Sequence, residues 1–169
     1  MKLKPANLPL GFLKNPIHLI AVGFGSGLSP IMPGTCGTLV AIPIYLLLRH
    51  LCSNFIFYFL TVLILISISF WICGQTAKDI GEEDPSCIVF DEIIGFLFAM
   101  LLRPNSITEI IVYFGLFRVF DMWKPWPISW VNKNVHGGFG IVIDDIMAAT
   151  LVIIIFQIIF FFSFSFFKG

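Results

Sequence analysis

FIFYFLTVLILISISFWIC, residues 55–73, runs for 19 positions without a charged side chain. At about 1.5 Å of rise per helical residue it covers roughly 28 Å, close to the ~30 Å hydrocarbon thickness of a bilayer. A second uncharged run, Ile146 to Phe167, has 22 residues and reaches roughly 33 Å. Both runs are continuous rather than alternating with period two, which predicts helices and not barrel strands. Three shorter runs accompany them: Leu39 to Leu48, interrupted by Pro43, Ile93 to Leu102, and Ile110 to Phe117. Each is too short for a clean crossing unless its flanks extend it or it forms a re-entrant helix packed against protein.

Composition points the same way. The chain has 169 residues, 58% of them apolar and 12% charged, about half the charged fraction of a soluble domain, and its mean hydropathy is +0.97. The expected fold is all-α: one polytopic helical membrane bundle over residues 1–169, with short hairpin helices and a polar site on the cytoplasmic side. Residues 1–16 read as an N-terminal tail, because they lack the apolar core of a signal peptide. Ten basic and ten acidic residues cancel, which removes the electrostatic footprint of a nucleic-acid binder. The apolar mass excludes intrinsic disorder. Cys36, Cys52, Cys73 and Cys87 form no CxxC pair and read as free thiols.

Two brief breaks, Arg49–Asn54 and Arg103–Ser106, read as hairpin turns, whereas 23–38, 74–92 and 118–145 read as long connections. Hairpins return their ends to one side, so the three long connections share a membrane face. Lys2, Lys4, Lys14, Lys78, Arg118, Lys124 and Lys133 lie there, against Arg49, Arg103 and Lys168 opposite, which makes that face cytoplasmic by the positive-inside rule. Nine of the ten acids share it, with only Glu109 opposite. Acids contribute little to orientation, so their asymmetry points to a site.

Asp84, Asp91, Glu92, Asp121, Asp144 and Asp145 stand at or inside the expected starts of apolar helices, with Asp144 and Asp145 opening the last one. Asp79, Glu82 and Glu83 read instead as solvated acids near helix ends. A charge at membrane depth costs at least about 2.5 kcal/mol unless compensated, so converging carboxylates call for a hard divalent cation, and Mg²⁺ suits a few carboxylates with water and phosphate. His18, His50 and His136 have no i,i+4 partner, which argues against zinc. His136 lies in a motif-like segment, where a functional and a structural role both stay open.

Arg118, Asp121 and Lys124, spaced by three, align on one helical face, either as a local salt bridge or beside an anion. GFGSGLSPIMPGTCGT, residues 23–38, is a glycine-rich run whose backbone N–H groups could cradle a phosphate, with Ser26, Thr35 and Thr38 at hand. Trp123, Trp126 and Trp130 read as interfacial anchors. Carboxylates with a metal, nearby cations and a phosphate loop suggest hydrolysis of a phosphate ester, the metal polarising a phosphoryl oxygen and Lys124 and Arg118 offsetting the substrate's charge. No Cys has Arg six residues on and no DxDx(T/V) pattern occurs, so neither a cysteinyl-phosphate route nor the familiar aspartyl-phosphate route has a candidate. Membrane burial then implies a phospholipid substrate in the bilayer. A proton- or cation-coupled transporter subunit is the alternative, since intramembrane acids also mark ion routes. It lacks acids in the middle of the long runs and visible internal repeats.

The stretches GFGSGLSPIMPGTCGT (23–38), DPSCIVFDEIIG (84–95) and FRVFDMWKPWPISWVNKNVHGGFGIVIDD (117–145) together resemble the phosphatidylglycerophosphatase A family, in the family's order and over most of residues 20–150. The resemblance implies an all-helical core, fewer than five full crossings, and Mg²⁺-dependent removal of the terminal phosphate of phosphatidylglycerophosphate in the bacterial inner membrane. The product would be phosphatidylglycerol, a step of phospholipid biosynthesis. It carries acidic positions onto Asp84, Asp91, Glu92, Asp121, Asp144 and Asp145, and a basic one onto Lys124. The candidate set is then Asp91, Glu92, Asp121, Lys124 and Asp145 for catalysis; Ser26, Thr35, Thr38, Arg118 and Lys124 for the substrate phosphate; and Asp84, Asp91, Glu92, Asp144 and Asp145 for the metal.

Overall fold

A computed structural model describes residues 11–102 and 104–166, with side chains to Ile159. Most of the expected tail, with Lys2 and Lys4, and also Arg103 and Lys168, lie outside the described residues. Seven α-helices and no strand occur among those residues: α1 Pro16–Ala21, α2 Pro33–Leu51, α3 Phe55–Ile80, α4 Phe90–Ala99, α5 Ile107–Trp123, α6 Ile128–Asn134 and α7 Gly137–Phe166. Three are long and apolar enough to cross a membrane, namely α2, α3 and Gly137–Ile159 of α7.

Local chemistry accounts for the boundaries. The Asn54 side chain caps α3 by accepting from Ile56 N–H, and Gly81 ends it at φ 82°, a left-handed turn that glycine takes without steric cost. Ser106 and Glu109 form a capping box at the start of α5. Pro33 opens α2 at its first position, where a missing N–H costs nothing.

Several expected boundaries move. The glycine-rich stretch 23–38 is not one loop: residues 23–28 wind as 3-10 turns, and Pro33–Thr38 is the start of α2. Those residues, with Arg49–Leu51 taken from the expected hairpin turn, carry the run around Pro43 to 19, and Pro43 itself sits on the exposed face of a helix that continues through it. The connection 74–92 also contains the end of α3, and 118–145 contains the end of α5, all of α6 and the start of α7.

The ten-residue α4 is the hub. It packs against α7, α2, α3 and α5, and Ile93, Ile94, Phe96, Leu97 and Ala99 are buried on every side of it, as expected of a helix that is apolar all round. It is too short to span, and protein surrounds it. The Tyr58 hydroxyl donates to Leu97 O at 2.8 Å and the Tyr45 hydroxyl to Pro104 O at 2.9 Å, so backbone carbonyls at this depth are satisfied. Arg49 donates to Pro104 O as well, which joins the two short hairpin turns at one end of the bundle. Leu46, Leu47, Phe57, Leu60, Ile64 and Ile68 face outward.

Glycine sets the closest approach. A Cβ on Gly138 would lie 1.9 Å from Phe70 O and 2.8 Å from Gly74 Cα, so α3 and α7 touch backbone to backbone. Gly138→Ala is expected to destabilise the protein by about 1–3 kcal/mol through overpacking. Gly115→Ala on the open face of α5, where nothing lies within 4 Å, is expected to be neutral or to stabilise by up to about 1 kcal/mol. Unfolding of the two variants in detergent compares them directly.

Candidate active site

Opposite the hairpin turns, α2, α4, α5 and α7 and the segment before α4 enclose a cavity of about 300 Å³. The first turn of α4 brings Asp91 and Glu92, where the positive end of the helix dipole favours acids. The last two turns of α5 bring Arg118 and Asp121, and Lys124 caps that helix at φ 45°. The third turn of α7 brings Asp144 and Asp145. All of these, with Asp84 at the mouth, line the one cavity. Asp144 and Asp145 therefore do not open the last helix, which begins seven residues earlier. Asp121 lies at a helix end, not a helix start.

Two acids already have cations. Arg118 Nη1 donates to Asp121 Oδ2 at 2.6 Å, so the local salt bridge forms within the cavity wall. Lys124 leaves the helical face it was expected to share with Arg118 and turns to Asp144, donating from Nζ to Oδ2. The same oxygen accepts from Asn132 Nδ2 at 2.9 Å, and Asp144 Oδ1 accepts from Asp145 N–H at 3.1 Å. Burial works against the Lys124 ammonium, but the adjoining Asp144 carboxylate, with Asp145 and Asp121 behind it, holds its pKa above the ordinary lysine value.

Among the described residues the other four acids form no ion pair, and three of these four are buried or half-buried. Asp91, Glu92 and Asp145 each offer an oxygen within 4.8 Å of the other two, and Asp91 Oδ1, Glu92 Oε2 and Asp145 Oδ1 are buried without a hydrogen-bond partner. Burial, and then the charge of Glu92, raises the Asp91 carboxyl well above the usual range. Burial also pushes Glu92 up to about 7. Orphaned carboxylate oxygens at this spacing are a donor set suited to a hard cation.

The expected phosphate cradle gathers only in part. Ser26 Oγ donates to its own Gly23 O at 2.8 Å, and neither Ser26 nor Thr35 lines the cavity. Thr38 reaches it only through Arg118, which donates to Thr38 Oγ1 at 3.4 Å. From that stretch Met32, Pro33 and Gly34 line the wall. A Cβ on Gly34 would lie 2.1 Å from Glu92 Oε1, so glycine there admits the carboxylate. His136 stands outside, 3.8 Å from Glu83, beside a smaller cavity of about 180 Å³. Asp79, expected as a solvated acid, pairs with the buried His18 at 2.8 Å, although it stays exposed. Trp123, Trp126 and Trp130 are all exposed. Gly34, Ser86 and Asn132 were not singled out from the sequence. Gly34 follows a proline at a helix start, which is a legible signal, whereas Ser86 and Asn132 carry none.

Arg118→Met would leave Asp121 buried without its cation and is expected to cost about 3 kcal/mol in denaturant unfolding. Arg118→Lys, a point charge in place of a planar fork, is expected to recover only part of that loss.

A family model described as Phosphatidylglycerophosphatase A matches residues 19–160. The chain is 50% identical over 140 residues to the Phosphatidylglycerophosphatase A of Escherichia coli, covering 82% of this chain and 80% of that protein. It is 40% identical over 144 residues to the protein of the same name from Haemophilus influenzae, covering 85% and 88%. A Bacteroides thetaiotaomicron protein provisionally named as a phosphatidylinositol-3-phosphatase is 35% identical over 136 residues, covering 77% and 84%. No solved structure matches. With a match over well more than half its length and relatives this similar, the chain belongs to the phosphatidylglycerophosphatase A family.

Proposed function

We propose that this chain hydrolyses the terminal phosphomonoester of phosphatidylglycerophosphate, giving phosphatidylglycerol in phospholipid biosynthesis, with Mg²⁺ held by Asp91, Glu92 and Asp145. The observation that carries the reading is the trio of unpartnered carboxylate oxygens within 4.8 Å of one another, with Lys124 and Arg118 in the same cavity. The names of the two relatives from Escherichia coli and Haemophilus influenzae support the substrate.

Mg²⁺ at that trio would supply positive charge to phosphoryl oxygens and lower the pKa of water. The remaining work falls to side chains. Lys124 Nζ offers donors beyond the one given to Asp144, which suits a phosphate oxygen. Arg118, paired with Asp121, offers a planar cation in the same cavity. Asp84 and Asp144 line the cavity outside the trio and add to its negative charge, and Asp144 holds Lys124. Exposed Trp123, Trp126 and Trp130 suit the headgroup layer, which would present the cavity to a lipid phosphate while the tails stay in the bilayer. Lys14, Lys78, Lys124 and Lys133 at this end support a cytoplasmic orientation.

Phosphate release from phosphatidylglycerophosphate in detergent is expected to be abolished by chelator and restored by Mg²⁺. Asp91→Asn and Asp145→Asn are each expected to lower it by more than about 100-fold, beyond the loss usual for outer-shell partners. Activity that ignores chelator would overturn the metal assignment, and equal turnover of phosphatidylinositol 3-phosphate would overturn the headgroup assignment.

A pH dependence follows for metal-free protein. Glu92 titrates near 7 when folded, against 4.5 ordinarily, so in that window the native state keeps a proton that the unfolded chain has released. Stability is therefore expected to fall as pH rises from 4.5 towards 7. Mg²⁺ replaces the proton and is expected to flatten the slope. The thermal midpoint measured across pH, with and without Mg²⁺, checks the sign.

A further inference from the structure

The Asp144 carboxylate is held at three points. Oδ2 accepts from Lys124 and from Asn132 Nδ2 at 2.9 Å, and Oδ1 accepts from Asp145 N–H at 3.1 Å. Lys124 stands beyond the last turn of α5 in a left-handed conformation, so no helix fixes its side chain, and four rotatable bonds separate its Nζ from the backbone. Among the described residues its one hydrogen-bond partner is Asp144 Oδ2. If that carboxylate could turn about its Cβ–Cγ bond, the ammonium would turn with it. Asn132 occupies the remaining approach to the oxygen. It projects from α6, a seven-residue helix that lends no side chain to the lining of the main cavity, and it lines the smaller adjoining cavity instead.

We propose that Asn132 is a positioning residue for phosphate hydrolysis, acting through Asp144 to hold the Lys124 ammonium at the cavity. This rests on the phosphatase reading above and adds to it a residue that does not touch the reacting atoms. A merely structural Asn132 would contribute to stability whatever stood at position 124. A positioning Asn132 contributes to turnover only while Lys124 is present.

A double-mutant cycle on the full chain in detergent separates the two. Asn132→Leu is expected to lower kcat/KM about 10- to 100-fold, the range of outer-shell partners, and Asn132→Gln, which keeps the amide donor, to recover part of it. In a Lys124→Met background Asn132→Leu is expected to add less than about twofold, the non-additivity of coupled groups. Wild-type turnover in Asn132→Leu, or losses that multiply in the double variant, would overturn the proposal. Should Asn132→Leu fail to fold, Asn132→Ala, which also removes the amide donor and adds no charge, carries the same cycle. Acylation of Lys124 by an amine-reactive ester, followed by mass spectrometry, reads the anchor without turnover. Lys124 is expected to react several-fold faster in the position-132 variant, and an unchanged rate would overturn the proposal. Absence of phosphatase activity in the wild type would sink the functional reading alone, because the labelling arm would still report on the anchor.

Discussion

Negative charge in an apolar bundle has to be answered, and the arrangement at the head of this fold follows from how it is answered. Six carboxylates surround one cavity, and two side-chain cations stand among them. Arg118 meets Asp121 and Lys124 meets Asp144, so each of these two acids has a cation close by. Asp91, Glu92 and Asp145 have no such partner. In a low-dielectric setting such carboxylates either hold protons or share a cation. The imbalance is a property of the whole head group of helices, since its members come from α4, α5, α7 and the segment before α4.

Bringing so much charge into so small a volume requires backbones to come close, and glycine makes the room. Gly34 admits the Glu92 carboxylate, Gly95 admits Asp145 and Phe117, and Gly74 with Gly138 lets α7 seat against α3. The result is a central helix of only ten residues held by longer ones. Its acidic first turn is fixed by packing rather than by a capping side chain, since Val89 makes no side-chain cap and instead donates its N–H to Ala21 O.

Much of this was legible in the chain itself. Asp91, Glu92, Asp144 and Asp145 interrupt apolar runs, and a charge in such a run needs compensation, so their convergence could be inferred before any helix was placed. Arg118 and Lys124 were legible for the complementary reason. Asn132 was not, because a neutral amide in a polar stretch carries no energetic demand that sequence alone exposes. Helix boundaries failed where glycine and proline have two meanings. The glycines at 137 and 138 read as loop but begin α7, because backbone contact with Gly74 outweighs their poor propensity. Pro43 read as an interruption but is carried within α2 on its outer face. Ser26 and Thr35 were grouped with the phosphate because they share a glycine-rich stretch, yet winding of residues 23–28 turns Ser26 back on its own backbone.

The two buried tyrosines have a consequence for how such a bundle can be built. A half-length helix strands peptide oxygens where neither water nor a following turn can reach them, and a hydrocarbon medium offers nothing in exchange. Tyr58 and Tyr45 bring phenolic protons to Leu97 and Pro104 from neighbouring helices, in effect a solid-state solvent placed where it is needed. That substitution lets α4 stop partway and turn back, and only a helix that reverses there can deliver its acidic first turn to the same rim as three full-length neighbours.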